Sequence, residues 1–237
     1  MTLKQAIRLL PKLAKYNMKI IFAGKFIWFF LAAFGFFAFF MFQNAWYQEN
    51  EINEGLIYQI LIFPSVLLVF YPAVFGIQND EDARILEILF GIPDYKYKVW
   101  GVRLLMIYVA IFFILLVFSY VATLMLYPVN ILEMSVQLMF PLIFYGNLAF
   151  MFSTITRSGN GTAVVMIILM IATIFLLQGG SAQTFWNILL NPFSVPRNVH
   201  PMIWDNLLLK NRIFLFCGSL VWMMIGLLNL QKREKFI

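Results

Sequence analysis

The feature that most constrains this chain is a series of six apolar stretches that contain no Asp, Glu, Lys or Arg. About 20 residues of α-helix cross the hydrocarbon layer of a bilayer, and each stretch approaches or exceeds that length. Because backbone groups in hydrocarbon find no water, a continuous apolar run satisfies them only as a helix. We therefore predict an all-α polytopic membrane protein with six transmembrane helices. The six stretches are residues 26–42, 56–77, 104–127, 136–155, 162–178 and 213–230.

The composition excludes a water-soluble globule and most kinds of catalytic centre. Hydrophobic residues make up 62% of the 237 residues and charged residues only 12%, whereas soluble domains average about 25% charged residues. The runs do not alternate in polarity as barrel strands do. A single Cys and a single His argue against a disulfide framework, a metal site and a histidine-based catalytic relay. We predict no catalytic residues and no metal ligands in this chain.

The basic residues predict the orientation of the helices. Fourteen of the 17 Lys and Arg residues lie in segments 1–25, 78–103, 156–161 and 231–237, which alternate along the chain with segments that hold the other three. Basic residues are enriched in the cytoplasmic loops of membrane proteins. We therefore expect both termini in the cytoplasm and the protein in the cytoplasmic (inner) membrane.

Residues 1–25 differ from the membrane domain that we expect over residues 26–237. Their apolar residues fall roughly on one helical face and most of their basic residues elsewhere, which is typical of a helix lying in the headgroup layer. Pro11 is expected to kink or divide that helix. The apolar face consists of Leu3, Ile7, Leu10, Leu13, Ile20 and Ile21.

The cytoplasmic segment 78–103 contains a short amphipathic pattern. Asn79 or Asp80 suits the N-cap of a helix, and the acidic residues that follow suit the positive end of its dipole. Gly91 and Pro93 are expected to end that helix. A helix so short is marginally stable alone, so we expect its apolar side to bind a groove on another protein.

The whole chain resembles the membrane subunit of ABC-2 type exporters. That family commonly reads acidic–x–acidic–x–Gly–Thr–Leu–Glu–x–Leu–Leu, with a proline a few residues later. Here the acidic cluster 80–82 precedes Leu86-Glu87-Ile88-Leu89, and Pro93 follows, although Arg84-Ile85 replaces the usual Gly–Thr. The six runs, the basic N-terminal segment and Asn191-Pro192-Phe193 in the long outer loop also resemble the family.

The resemblance implies that segment 78–103 is a coupling helix on a separate cytoplasmic ABC ATPase. The chain lacks a G-x-x-x-x-G-K-[ST] motif, so we expect ATP and Mg to be bound by that partner and this chain not to be an enzyme by itself. No cofactor and no nucleic acid are expected here. The residues expected to contact the ATPase are Asp80, Glu81, Asp82, Arg84, Leu86, Glu87, Leu89 and Pro93.

The family works as a dimer, so a second permease copy or a paralogue is the other expected protein partner, within the lipid bilayer. Helices two and five resemble the elements that line the translocation path between the copies. Asn147, the most central strongly polar residue, is more simply an interhelical hydrogen-bonding residue than a substrate contact. The residues expected along the path are Ser65, Tyr71, Thr162, Thr173 and Gln178.

The outer loop 179–212 holds two apolar stretches, 185–190 and 202–209, that are each too short to cross a bilayer. We expect them to form a re-entrant or surface hairpin. In the resembling family this region caps the outer end of the path, which makes it a candidate gate. The candidate gate residues are Trp186, Asn191, Pro192 and Phe193.

Two other interpretations stay open. The chain has the size and helix count of a heme-export permease of cytochrome maturation. The single histidine, His200, gives that interpretation little support. It could also be a scaffold subunit that transports nothing, although a scaffold has no need of the acidic segment. The sequence does not identify the substrate, and it does not distinguish a homodimer from a heterodimer.

Overall fold

The protein is all-helical in the residues that its structure, a computed structural model, describes. These are residues 26–47, 52–82, 96–176, 184–196 and 199–230. They contain no strand, so the all-α part of the predicted fold class is confirmed for this part of the chain. The helices are α1 (Phe26–Tyr47), α2 (Glu54–Asp82), α3 (Val102–Met125), α4 (Ile131–Thr156), α5 (Gly159–Leu176) and α6 (Pro201–Asn229). A π-helical turn, Lys96–Gly101, leads directly into α3.

Five of these helices, all except α5, are long and apolar enough to cross a membrane. Helix α5 is a shorter apolar helix of 18 residues, about 27 Å long at the usual rise per residue. The multi-pass membrane character is therefore supported, and the count of six crossings stays a prediction. The amphipathic segment 1–25 and both chain termini lie outside the described residues.

Helices α2 and α4 form the centre of the bundle. About two thirds of the apolar window of α2 and nearly three quarters of that of α4 are buried, compared with 22% for α1. Helix α4 packs against α2, α3, α5 and α6, while α2 packs against α1, α3, α4 and α5. The four outer helices thus surround two inner ones, and their outward faces carry large apolar side chains suited to lipid.

One polar residue ties three helices together inside this apolar bundle. Asn147 of α4 accepts a hydrogen bond from the Tyr108 hydroxyl of α3 at 2.6 Å and donates one to the Ser219 carbonyl of α6 at 3.2 Å. Asn147 is buried. The interhelical hydrogen bonding predicted for this residue is confirmed.

The bundle has two ends, which we name the Gln78 end and the Tyr58 end. At the Gln78 end, the last turns of α2 meet the turn between α4 and α5 and the end of α6. At the Tyr58 end, the start of α2 meets the segment 184–196, which we name the cap segment. The structure groups the described parts of the predicted cytoplasmic segments 78–103 and 156–161 at the Gln78 end.

The predicted hairpin over 179–212 is wrong in its second half, because α6 begins at Pro201 rather than near residue 213. His200 caps this helix: its Nδ1 accepts a hydrogen bond from the Met202 backbone N–H at 3.3 Å, and Pro201 occupies the first turn. Lys210 and Arg212 interrupt the apolar run in the sequence, but charged residues do not interrupt a helix. The stretch 202–209 therefore extends α6 instead of forming part of a hairpin.

Helix α2 also extends beyond its predicted end. It continues without a break through Asn79 and Asp80 to Asp82, so neither Asn79 nor Asp80 caps a new helix. The acidic residues of the predicted coupling segment begin on the last turn of a helix that spans the whole bundle.

Candidate functional site

The Gln78 end is locked by hydrogen bonds that join four helices. The Gln78 Oε1 accepts from the Gly159 backbone N–H at 2.6 Å, which ties α2 to the start of α5. The Ser153 hydroxyl donates to the Val74 carbonyl at 3.0 Å, and the Asn229 amide donates to the Thr154 carbonyl at 2.6 Å. These hydrogen bonds therefore connect the end of α2 to α5 and α4, and through α4 to α6.

Gly159 permits this close contact between α2 and the α4–α5 turn. A Cβ at position 159 would lie 2.3 Å from Cδ1 of Phe75 and 2.6 Å from the Gln78 Oε1. Arg157, two residues before Gly159, adopts the left-handed conformation with φ of 55°, and the chain changes direction there. The turn thus combines a left-handed helix end with a glycine at the contact.

The residues predicted to contact the ATPase begin at this end. Asp80, Glu81 and Asp82 lie on the last turn of α2. The other five, Arg84, Leu86, Glu87, Leu89 and Pro93, lie outside the described residues. Their role as a coupling helix stays a prediction.

The chain re-enters the bundle beside the same end through the π-helical turn. Trp100 is buried against Phe150 of α4, with ring centroids 5.8 Å apart. The guanidinium of Arg103, also buried, lies 4.5 Å from the centroid of the Trp100 ring, a cation–π distance. Both ends of segment 78–103 are therefore fixed on the bundle, and π-helical turns are frequent at functional sites.

The cap segment closes the Tyr58 end through backbone carbonyls. The Asn191 amide donates to the Gly55 carbonyl at 2.8 Å, and the Trp204 indole donates to the Pro192 carbonyl at 3.3 Å. The Phe193 ring packs on Tyr58 with centroids 6.0 Å apart. Three of the candidate gate residues, Asn191, Pro192 and Phe193, thus meet the starts of α2 and α6.

Trp186, the fourth candidate gate residue, occupies a different position. Its side chain is 61% exposed and packs edge-on against Phe214 of α6, at a centroid distance of 5.3 Å. It covers the outside of α6 and takes no part in the contact with α2.

Beneath the cap segment lies a polar group that we name the arginine cluster: Arg212 and Asn211 of α6, Gln137 of α4 and Tyr58 of α2. Arg212 is only 7% exposed. Its Nε donates to the Gln137 Oε1 at 2.8 Å and its Nη1 to the Asn211 Oδ1 at 2.9 Å. The Asn211 amide in turn donates to the Phe185 and Asn187 carbonyls of the cap segment, at 2.9 Å and 2.8 Å.

The arginine cluster carries a charge that its neighbours do not neutralise. Both hydrogen-bond acceptors of Arg212 are neutral side chains, and none of the described carboxylates pairs with it. Its Nη2 and the hydroxyl of Tyr58 are both buried without a partner at good hydrogen-bond geometry, although the two groups are near enough to interact electrostatically. A buried ion is expensive unless it is paired, and an ionisable residue within a membrane bundle is by default a candidate functional site.

The residues predicted to line the path are spread over the bundle. Ser65 and Thr162 are fully buried in this single chain. The Ser65 hydroxyl donates to the Leu61 carbonyl of its own helix, as hydroxyls in apolar helices commonly do. The Thr162 hydroxyl instead pairs with that of Thr156 across the α4–α5 turn. Both hydroxyls therefore have partners inside this chain, and the role of these residues along a path stays a prediction.

The remaining path residues do not gather at one surface either. Tyr71 is buried against Phe29 of α1 and accepts a hydrogen bond from Asn79 at 3.2 Å. Thr173 is half-buried and donates to the Leu169 carbonyl. Gln178 lies outside the described residues.

Sequence reasoning missed the arginine cluster because it assigned Arg212 to an outer loop. The available signal was the adjacent pair Asn211-Arg212 directly before an apolar run of 18 residues. Gln137 and Tyr58 could not be assigned to the cluster from neighbouring sequence, because they lie 75 and 154 positions from Arg212 along the chain.

Comparison of this chain with protein-family models, with curated proteins and with solved structures finds no match.

Proposed function

We propose that this chain is the membrane subunit of an ATP-driven exporter of the ABC-2 type, working as one half of a dimer. A separate ATPase binds ATP and Mg and drives transport through segment 78–103. The observation that carries the proposal is the extent of α2: its 29 residues run from the cap segment to the acidic residues of the predicted coupling segment. This helix is about 43 Å long.

The contacts of α2 suit the transmission of movement between the two ends. At Gly55 it is hydrogen-bonded to the cap segment, and at Gln78 it is hydrogen-bonded to the α4–α5 turn. Pro64 and Pro72 lie inside the helix, where each removes a backbone hydrogen bond and favours a bend. A force applied near Asp82 would tilt or bend α2 and pull on the candidate gate.

The apolar interior of the bundle favours ATP over an ion gradient as the source of energy. Ion-coupled transporters carry ionisable groups within the membrane. Among the described residues of α1, α2, α4 and α5, the only Asp, Glu, Lys or Arg side chains lie in the first or last turn of a helix. Arg212 of α6 is a guanidinium, which keeps its proton and therefore cannot shuttle one.

The geometry of His200 weighs against the heme-permease interpretation. Its Nδ1 accepts the Met202 N–H as the cap of α6, so a structural role accounts for the only histidine. A scaffold subunit has no need of an acidic helix end joined to the candidate gate through one continuous helix. The scaffold interpretation is an outcome of the following test, in which no ATPase would co-purify.

The test is affinity purification of the full chain from membranes of its own host, followed by photolabelling with an azido-ATP analogue. We expect a labelled ATPase subunit to co-purify, since this chain has no nucleotide-binding motif. The variant Glu87→Lys reverses the charge of the predicted coupling segment and should lose the labelled subunit.

The matched control is Glu133→Lys, which reverses an exposed carboxylate on α4 at the opposite end of the bundle. It should retain the ATPase. If neither variant changes the labelled subunit, or if no ATPase co-purifies with the unaltered chain, the proposal is wrong.

A further inference from the structure

The charge-free run that follows Arg212 predicts that the arginine cluster lies at the depth of lipid headgroups. The run 213–230 that follows Arg212 is free of charge over 18 residues, about 27 Å of helix, which approaches the thickness of the hydrocarbon layer. When this run fills the hydrocarbon, Arg212 stands at its edge near the Tyr58 end. The side chain points into the bundle, because it is 7% exposed and contacts α4.

The free hydrogen-bond donors of the cluster converge on one place. The Nη2 of Arg212 and the hydroxyl of Tyr58 are both buried, and neither has a partner at good hydrogen-bond geometry; the two groups also interact electrostatically. Gln137 and Asn211 hold the guanidinium through its Nε and Nη1, which fixes its plane and leaves Nη2 available. A guanidinium held in this way suits an oxyanion with two or more acceptor oxygens.

The described part of the chain supplies no such anion. The described carboxylates at the Tyr58 end are exposed or half-exposed and do not pair with Arg212: Glu54 and Glu133 lie in the first turns of α2 and α4, and Asp205 lies just after the first turn of α6. A single anionic ligand that accepts hydrogen bonds from both the Arg212 guanidinium and the Tyr58 hydroxyl would explain why the charge is not neutralised and why the hydroxyl has no partner.

We propose that the arginine cluster is a binding site for a phosphate oxyanion, carried either by a lipid headgroup or by a free phosphate. Arg212 supplies the charge and the Nη2 donor, and Tyr58 supplies a second donor. The cap segment covers the site and is attached to it through the two hydrogen bonds from Asn211. Occupancy of the site is thereby linked to the position of the candidate gate.

The test uses the full chain in a non-ionic detergent and follows its thermal unfolding midpoint during titration with three probes. The probes are phosphatidylglycerol, phosphatidylcholine and inorganic phosphate. We expect saturable stabilisation by phosphatidylglycerol. A matching response to inorganic phosphate identifies a free anion as the source, and a response to phosphatidylglycerol alone identifies a lipid headgroup.

Three variants attribute the response to the cluster. Arg212→Gln should raise the half-saturating concentration at least about tenfold, the effect of losing a charged hydrogen bond. Lys210→Gln, a change of equal charge at an exposed position of the same helix, should leave it within about twofold. Tyr58→Phe should weaken binding about threefold or more without lowering the ligand-free midpoint, because the hydroxyl it removes has no partner.

The proposal is overturned if no probe stabilises the unaltered chain, or if Lys210→Gln weakens binding as much as Arg212→Gln. Should Arg212→Gln fail to fold, Tyr58→Phe decides, and unchanged binding by that variant also overturns the proposal. The assay contains no ATPase, so its result is independent of the proposed transport function.

Discussion

Gly146 shows how tightly single residues are packed where α2, α3 and α4 meet. A Cβ at this position would lie 2.7 Å from the Tyr108 hydroxyl oxygen and 2.9 Å from Cγ2 of Val69. Gly146→Ala should therefore destabilise the protein by about 1–3 kcal/mol, the usual cost of overpacking a core. Unfolding in mixed micelles with increasing SDS measures the change.

The matched control for that substitution is Gly35→Ala on α1, where a Cβ would meet nothing within 4 Å. Alanine favours helix over glycine, so this variant should be as stable as the unaltered chain or slightly more so. Equal destabilisation by both substitutions would contradict the packing described for Gly146.

The hydrogen bond between Tyr108 and Asn147 allows a direct measurement of a polar contact inside the bundle. A double-mutant cycle with Tyr108→Phe and Asn147→Ala should give a coupling free energy of about 0.6 kcal/mol, and no more than about 1.7 kcal/mol, the range known for such bonds in membrane proteins. The two side-chain atoms are 2.6 Å apart, so strictly additive effects would contradict this contact.

At the scale of the element, the first turn of α6 depends on the cap that His200 provides. His200→Ala should cost about 0.5 kcal/mol, the low end of capping effects, because the Nδ1 accepts at a long 3.3 Å and the residue is exposed. Hydrogen exchange at the amides of 202–204 should become faster. His200→Asp, which keeps a cap acceptor, should restore the protection, and faster exchange in both variants would contradict the capping role.

The elements themselves were largely predictable from the sequence, and their ends were not. Each of the six apolar runs corresponds to one helix of the structure, because a long uncharged run has no other stable form in hydrocarbon. The ends of α2 and α6 lie beyond the apolar runs, at Asp82 and Pro201. Polar and charged residues also fit a helix, so the limits of an apolar run do not fix where the helix begins, whereas the His200 cap and Pro201 mark the start of α6.

For the whole molecule, the crossing of α5 decides between five and six transmembrane helices. Cys217 is the only cysteine, so Cys217→Ser gives a chain into which single cysteines can be introduced. We expect Ser194→Cys to react with a membrane-impermeant maleimide on intact cells and Asn160→Cys to react only after permeabilisation. Both positions are exposed.

This labelling also tests the predicted orientation. Labelling of Asn160→Cys alone on intact cells would invert the topology and place the acidic end of α2 outside, where no cytoplasmic ATPase could bind it. Labelling of both positions would show that α5 does not cross. Either result would contradict the proposed function.

The sequence by itself determined the helical class, the number of apolar segments and the grouping of basic residues, because these follow from hydrophobicity and charge along the chain. Only the tertiary structure joined residues that are distant in sequence. It connected the acidic end of α2 to the cap segment through one continuous helix, and it placed Tyr58 and Gln137 around Arg212. Such groupings depend on which helices pack together. The sequence does not reveal this, because the apolar faces of the helices have similar compositions.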